Sequence, residues 1–361
     1  MAYRNNEPYN DLPMLPPRAH LETLRVMRRC VGASRALAEL KGAGNLIPNQ
    51  AILINAIPLQ EAKLSSEIEN IVTTQDALYR AAIEPTAQAD PAAKEVLRYR
   101  TALRHGYDAL RQGKPLDIDL VLEVCEVLAA APARLRDEEP VLIEDIAAGM
   151  VLYTPPRGRS RIVGLLQNLV DFLGEPGDLD PLIRMAVAHY QFEAIHPFND
   201  GNGRTGRILN ILALVQAGLL DIPVLYLSRH IIASKQEYYR RLRAVTEAQD
   251  WEGWLLYMLA AVEETARWTA GRILAVRELF ETTMERCQRE LPGRAYSKEL
   301  MELIFTQPYV RVRFVVDAGI VGRQAAAEYL RELEKLGILE SERRGREVIY
   351  RHPALLELLS A

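Results

Sequence analysis

From Leu21 onward, apolar residues recur at three- and four-residue steps, and before residue 290 that period is broken by only one β-prone stretch. Leu21, Leu24, Met27 and Val31, then Leu37 and Leu40, define a first helix. Lys41 to Gln50 reads as a loop, because Gly42, Gly44, Asn45, Pro48 and Asn49 crowd it. Further helices are expected over 52–56, 65–80, 94–112, 120–130, 161–173, 181–195, 204–218, 234–248 and 251–285. The interruption is residues 139–154. Val141-Leu142-Ile143 and Met150-Val151-Leu152-Tyr153 flank a turn-like Ala147-Ala148-Gly149, which predicts a hairpin. A chain with this pattern is mainly α.

The last part changes character. Helical patterns at Tyr296–Thr306 and Val321–Leu336 are followed by strand-like Ile338–Arg343 and Glu347–Arg351 across Arg344-Gly345-Arg346. Helix, helix, hairpin is the order of a winged helix-turn-helix. Such a module suggests DNA, and Arg343, Arg344, Arg346 and Arg351 lie where they can reach phosphate. Yet residues 295–361 hold ten Lys and Arg against ten Asp and Glu. A DNA reader needs a basic excess, so target recognition or dimerisation is the favoured role. The whole chain, 361 residues with net charge −4, likewise gives no electrostatic case for nucleic acid or an anionic membrane. Cys30, Cys125 and Cys287 are far apart and without metal-ligand spacing. With no signal-like start and no membrane-length apolar run, the expectation is a cytoplasmic protein.

The chemistry concentrates in His196-Pro197-Phe198-Asn199-Asp200-Gly201-Asn202-Gly203-Arg204-Thr205-Gly206-Arg207-Ile208, a turn between two helices. Gly201 and Gly203 permit backbone conformations that let successive N–H groups converge on an anion. The helix beginning near Arg204 adds its free N–H groups and positive end. Arg204 and Arg207 share a helix face and present planar guanidinium forks to oxyanions. Asp200 stands beside that cradle as a carboxylate for Mg²⁺, and His196 is placed to accept a proton near neutrality. Phe198 is expected to anchor the loop.

This run matches H-x-F-x-[DE]-G-N-G-R-x-x-R at every defined position, and so resembles the signature of the Fic family. The resemblance implies a Fic-type helical bundle that transfers AMP from ATP to a Ser, Thr or Tyr hydroxyl of a protein, releasing pyrophosphate. It implies His196 as general base and Asp200 as Mg²⁺ ligand. It also implies Gly201, Asn202, Gly203, Arg204, Thr205, Gly206 and Arg207 as the ATP and phosphate site. The related Doc toxins are kinases with lysine where Gly203 stands, so Gly203 implies AMP transfer. Ser65-Ser66-Glu67-Ile68-Glu69-Asn70 resembles a second motif of the family, [ST]-x-x-x-E-[GN], which sits on an inhibitory helix. It implies Ser65 and Glu69 as inhibitory residues, with Glu69 paired to Arg207. Read from the residues alone, Ser-Ser-Glu is also an ordinary helix N-cap.

The hairpin resembles the family's flap, which pairs with a target's extended backbone; an ordinary structural hairpin reads the same way. Tyr238 is placed to contact adenine, or to lie exposed or in the core, and Trp251 and Trp254 read as core. The organisation expected is a regulatory helical part over 1–110, a catalytic core over 111–270, a helical linker over 271–292 and a winged-helix module over 293–361. Self-modification is expected alongside transfer to a target. The competing reading is a transcription regulator whose core senses a nucleotide and whose winged helix binds DNA.

Overall fold

The computed structural model describes residues 3–47, 49–83, 90–137, 141–145, 149–174, 177–291, 296–344 and 347–360. Two helices form the centre. The first, α7 (Pro181–Ile195), is capped by Asp180 with Pro181 in its first turn; the second is α8 (Asn202–Gln216). Both are buried around nearly their whole circumference, as expected of helices without a solvent face. The other helices of the first 291 residues surround them: α1 (Leu24–Asn45), α2 (Ala51–Ile68), α3 (Gln75–Ile83), α4 (Pro91–Arg111), α5 (Ile118–Ala129), α6 (Arg159–Gly174), α9 (Leu227–Ala233), α10 (Lys235–Ala248) and α11 (Trp251–Glu290). The mainly α expectation holds. One apolar core is continuous from Leu12 to Leu359.

Three helical expectations need correction. Gly42 and Gly44 lie inside α1, not in a loop. Each costs a helix about 1 kcal/mol relative to Ala, but α1 packs along α11 and that contact prevails. Residues 52–56 and 65–68 belong to one helix, α2, which runs through Pro58. Pro58 removes a single backbone donor while α2 is held by α4 and α9 on either side. The run 65–80 is therefore no separate helix. Ser65 sits near the end of α2, and Glu69 is its C-cap with Asn70 left-handed behind it at φ 64°. The N-cap reading of Ser-Ser-Glu falls with that. Short α9 had no period long enough to be read from sequence.

The expected hairpin is β1 (Ile143–Asp145) paired antiparallel with β2 (Met150–Tyr153), a two-stranded sheet. Its first strand begins two residues later than expected. Ala147 and Ala148 of the turn lie outside the described residues, as do the 292/293 boundary and Gly345-Arg346 of the wing. Beyond α11, which is unbroken across residue 271, come α12 (Lys298–Thr306), β3 (Tyr309–Val310), α13 (Val312–Asp317), α14 (Arg323–Lys335), β4 (Glu340–Arg344), β5 (Glu347–Arg351) and α15 (Pro353–Ser360). The helix–helix–hairpin order is present. β3, α13 and α15 are additions, and the strands form an antiparallel sheet in the order β3-β5-β4. This module rests on α2 and α3. Asn49 Nδ2 donates to Glu302 (2.8 Å), and Tyr309 stacks on Tyr79 with ring centroids 5.2 Å apart.

Glu61 fastens α2 from inside. Its carboxylate accepts the Ser228 N–H (3.0 Å), the Ser228 hydroxyl (2.5 Å) and the Tyr99 hydroxyl (3.3 Å). Burial nevertheless pushes its pKa up to about 7 from 4.5, against the pull of those donors and of Arg207. A carboxyl whose folded pKa lies above its unfolded one contributes stability that is complete below pH 4.5 and lost as pH rises through about 7. Glu61→Gln should therefore flatten the decline in stability between about pH 5 and about pH 8, by up to roughly 3 kcal/mol. Urea unfolding at the two pH values checks this; equal slopes for both chains would rule it out.

Candidate active site

α7 ends where His196 turns left-handed, with φ 50°. A non-glycine residue holds that conformation only when its surroundings fix it, and here Arg136 does so. Its Nε donates to the His196 carbonyl (2.5 Å), and Nη2 donates to those of Ile195 (2.8 Å) and Pro156 (2.6 Å). Its own N–H donates to Pro197 O (3.0 Å). Four residues on from Phe198, Asn202 closes the loop: Oδ1 accepts the Phe198 N–H (2.8 Å) and Nδ2 donates to Phe198 O (2.6 Å). Phe198 is buried, as expected of an anchor. Gly201, at φ 77°, turns the chain into α8 and no side chain caps that helix. Its first N–H groups are thus left for an external anion.

Beside this loop, α2 delivers a carboxylate to both motif arginines. Glu69 Oε1 accepts from Arg207 Nη2 and Oε2 from Arg204 Nε, each at 2.7 Å. Ser65 completes the enclosure of Arg207, its hydroxyl accepting from Nε (2.7 Å) and its carbonyl from Nη2 (2.9 Å). Arg204 also reaches Glu95 of α4 at 3.0 Å and Asp200 at 3.5 Å. Burial works against the Arg207 cation more than any single neighbour favours it, yet Glu69, with Tyr238, Glu193 and Tyr99 behind it, holds the pKa above the ordinary arginine value. Gly203 permits this approach: a Cβ there would lie 2.6 Å from Glu69 Oε1 and 2.8 Å from an Arg207 nitrogen.

The structure thus brings His196, Asp200, Gly201, Gly203, Arg204, Arg207, Ser65 and Glu69 together. It places four others differently. Both ends of the Asn202 amide brace the loop, so its side chain shapes the anion site instead of lining it. Thr205 is fully buried and directed toward Cys125. Gly206 faces α7, where a Cβ would meet Glu193 at 2.7 Å and Phe192 at 3.0 Å. A helix repeats every 3.6 residues, so residues between Arg204 and Arg207 turn to the core face. Tyr238 is buried, its hydroxyl 2.8 Å from His189 Nε2 and its ring among Trp254 and Tyr257.

Next to it, Tyr239 is exposed and lines a cavity of about 90 Å³. The cavity lies between β2 (Leu152) and α10 (Leu242, Thr246), with Glu193 and Ala194 along one side. Its lining is mostly apolar, with Glu193, Arg243 and Glu247 among its few charged groups. Glu95, Arg136, Glu193 and Tyr239 carried no sequence signal, since each reaches the site from a separate helix or loop. Glu193 has an unpartnered Oε1, and burial pushes its carboxyl up to about 7.

His196 is mostly enclosed. Burial first, and the Arg136 cation second, push its pKa down to about 4, with the Glu193 carbonyl and the Glu69 and Asp200 carboxylates opposing. The imidazole is therefore neutral, the form that accepts a proton, well below pH 7. Asp200 is largely exposed at the mouth of the loop, and its Oδ1 accepts the Gly201 N–H at 2.7 Å. Among the described residues no three His, Cys, Asp or Glu side chains converge on a metal position. A lone carboxylate next to an anion site fits Mg²⁺, which draws its remaining ligands from water and phosphate.

Three family models match the chain. That of the Fic/DOC family N-terminal matches residues 27–108, and that of the Fic/DOC family matches 115–214. That of the protein adenylyltransferase SoFic-like C-terminal domain matches 279–355. Protein adenylyltransferase fic-1 of Caenorhabditis elegans is 39% identical over 79 residues, which is 21% of this chain and 14% of that one. A probable protein adenylyltransferase of Aquifex aeolicus is 36% identical over 75 residues, 21% of this chain and 23% of that one. The chain thus matches less than a quarter of the length of either relative. Among solved structures, a Fic family protein of Desulfovibrio desulfuricans superposes with a TM-score of 0.56 at 21% identity, covering 92% of this chain and 97% of that one. Residues 134–508 of C. elegans Fic-1 give 0.53 at 21%, covering 70% and 74%. At these identities the superpositions establish the shared fold.

Arg136→Met removes a cation that opposes protonation of His196. The His196 pKa should then rise from about 4 toward the ordinary histidine value. An NMR titration of the imidazole reads this directly, and an unmoved or lower pKa would show that Arg136 does not hold it down.

Proposed function

The chain belongs to the Fic/DOC family, and from that premise we propose that it transfers AMP from ATP to a hydroxyl of a protein, itself included, and releases pyrophosphate. The observation that carries this reading is a neutral histidine beside the uncapped start of α8, with two arginines gathered on one carboxylate. His196 takes the proton of the acceptor hydroxyl. The hydroxyl oxygen attacks the α-phosphorus and the bond to the β-phosphate oxygen breaks. The free N–H groups of α8 hold phosphate oxygens, and Arg204 and Arg207 offset charge on the leaving pyrophosphate. Asp200 would hold Mg²⁺, which supplies further charge neutralisation when bound. The cavity under the hairpin takes the adenine, with Tyr239 in the role sequence had given to Tyr238. β1–β2 receives the target's backbone by strand addition.

Glu69 accounts for regulation in this reading. It occupies both guanidinium groups that the phosphates need, so the chain as folded is held off. The C-terminal module, balanced in charge, serves target recognition or dimerisation. Its Arg351 is paired with Glu340 at 2.6 Å and so is not presented as a free phosphate ligand.

Glu69→Gly should raise AMP incorporation from labelled ATP roughly tenfold or more, the equivalent of about 1.4 kcal/mol of pairing released. Adding His196→Ala to it should cost about a hundred- to ten-thousandfold. Incorporation that survives loss of His196 sinks the proton-transfer role. No incorporation into lysate proteins or the chain itself, with or without Glu69, sinks the activity.

A further inference from the structure

Residues 3–15 are laid across the base of the hairpin and fastened at several points. The Tyr9 N–H donates to Thr154 O (2.9 Å), and the Thr154 hydroxyl donates to Asn5 O (2.6 Å). The Arg157 N–H donates to Asn10 Oδ1 (3.1 Å). Asn168 pairs with both backbone groups of Leu15, at 2.6 Å and 3.0 Å, and Gln191 donates to Pro13 O (2.8 Å). Leu12 and Leu15 are buried. A segment without helix or strand is thus held in place by the catalytic half of the chain.

At the start of this segment Tyr3 meets a defect in the hairpin. Ile143 pairs with Tyr153 and Glu144 with Val151, so Leu152 is the bulged residue without a partner across the strands. The Tyr3 hydroxyl donates to the Leu152 carbonyl at 3.2 Å. Its ring stacks on Tyr153 (6.0 Å, 27° between planes) and meets Tyr9 edge-on (5.2 Å, 70°). Tyr3 then lines the same cavity as Leu152, Tyr239, Leu242 and Thr246. Arg243 and Glu247 of α10 face its hydroxyl from across the opening.

We propose that Tyr3 is a nucleoside-binding residue, the outer wall of the cavity, brought there by the segment 3–15 and seated on the bulge at Leu152. This rests on the reading of that cavity as the adenine site. The hairpin alone gives one aliphatic face, Ile143 and Leu152, and α10 gives the other, Tyr239 and Leu242. Tyr3 supplies the third side, its ring held against the hairpin by Tyr153 and Tyr9 and its hydroxyl by Leu152. A base entering between those faces contacts the Tyr3 ring, whereas the phosphates lie at α8 and do not.

That division gives the test. In the full chain carrying Glu69→Gly, the Kd of ATP and that of inorganic triphosphate, which has no base, are measured by calorimetry. Adding Tyr3→Ala should weaken ATP roughly three- to tenfold and leave triphosphate unchanged. Tyr3→Phe keeps the ring and should recover most of the loss. Unchanged ATP affinity in Tyr3→Ala, or equal weakening of both ligands, overturns the assignment. A Glu69→Gly parent that binds ATP no tighter than triphosphate removes the adenine reading itself, and this assignment with it. A parent that prefers ATP with an unresponsive Tyr3→Ala removes only the assignment.

Discussion

One carboxylate, Glu69, binds two guanidinium groups whose side chains are 2% and 5% exposed. A cation removed from water to that extent costs several kcal/mol unless an anion meets it. The uncapped N–H groups of α8 add to the same positive region. Glu69 stands at the C-cap of α2, where that helix presents its negative end. The start of α8 and the end of α2 therefore face one another with opposite polarity, and Glu69 sits where they meet. The bundle around them keeps these two ends in register. Glu61, eight residues earlier on α2, is tied to α9, and α4 supplies both Tyr99 against Glu61 and Glu95 against Arg204.

Much of this was legible because the motif is local. His196, Asp200, Gly201, Gly203, Arg204 and Arg207 lie within twelve residues on one loop between two helices, although Arg136 from a distant loop braces its start. Glu69 was reachable only because Ser65 and Asn70 frame it in a recognisable spacing. What failed depended on which side of a helix a residue occupies. Tyr238 and Tyr239 are adjacent, so period alone gave no reason to prefer one. The packing of His189 and Trp254 against Tyr238 makes it the core residue and turns Tyr239 outward. The resemblance carried Thr205 and Gly206 along with the rest of the motif, but α8 is buried on that side. Arg136 and Glu95 lie about sixty and about a hundred residues from their partners, and no local pattern marks either.

The breaks expected from Gly and Pro went wrong in a related way. Gly42, Gly44 and Pro58 are local signals worth about 1 to 3 kcal/mol each, and on their own they predict interruptions. Two neighbours on α2 and a partner along α1 outweigh them in the folded chain. The consequence bears on the proposed regulation. Because α2 continues through Pro58, the carboxylate at its end is joined by rigid helix to its first turn. There the C-terminal module contributes Glu302 against Asn49, just ahead of that turn, and α12 and α15 pack on α2. The element that bears Glu69 is thus also the one on which the module rests.

The proposed inhibition and the stability of the fold then come from the same contact. An anion that met Arg204 and Arg207 in place of Glu69 would answer the same electrostatic requirement, so in the proposed reading polyphosphate and Glu69 are alternatives. Glu69 has the advantage of being intramolecular, its carboxylate delivered by a helix end at no translational cost. ATP must overcome that with more than charge. In the proposed reading the three phosphates compete for the two arginines, whereas the base gains separate contacts between the hairpin and α10. On that reading, affinity in the presence of Glu69 depends on the cavity as well as on the cradle. The chain surrounds that cavity from three directions, the hairpin, α10 and the segment that begins with Tyr3. On the same reading, small shifts in any of the three would alter the balance between nucleotide and Glu69 without touching a catalytic group.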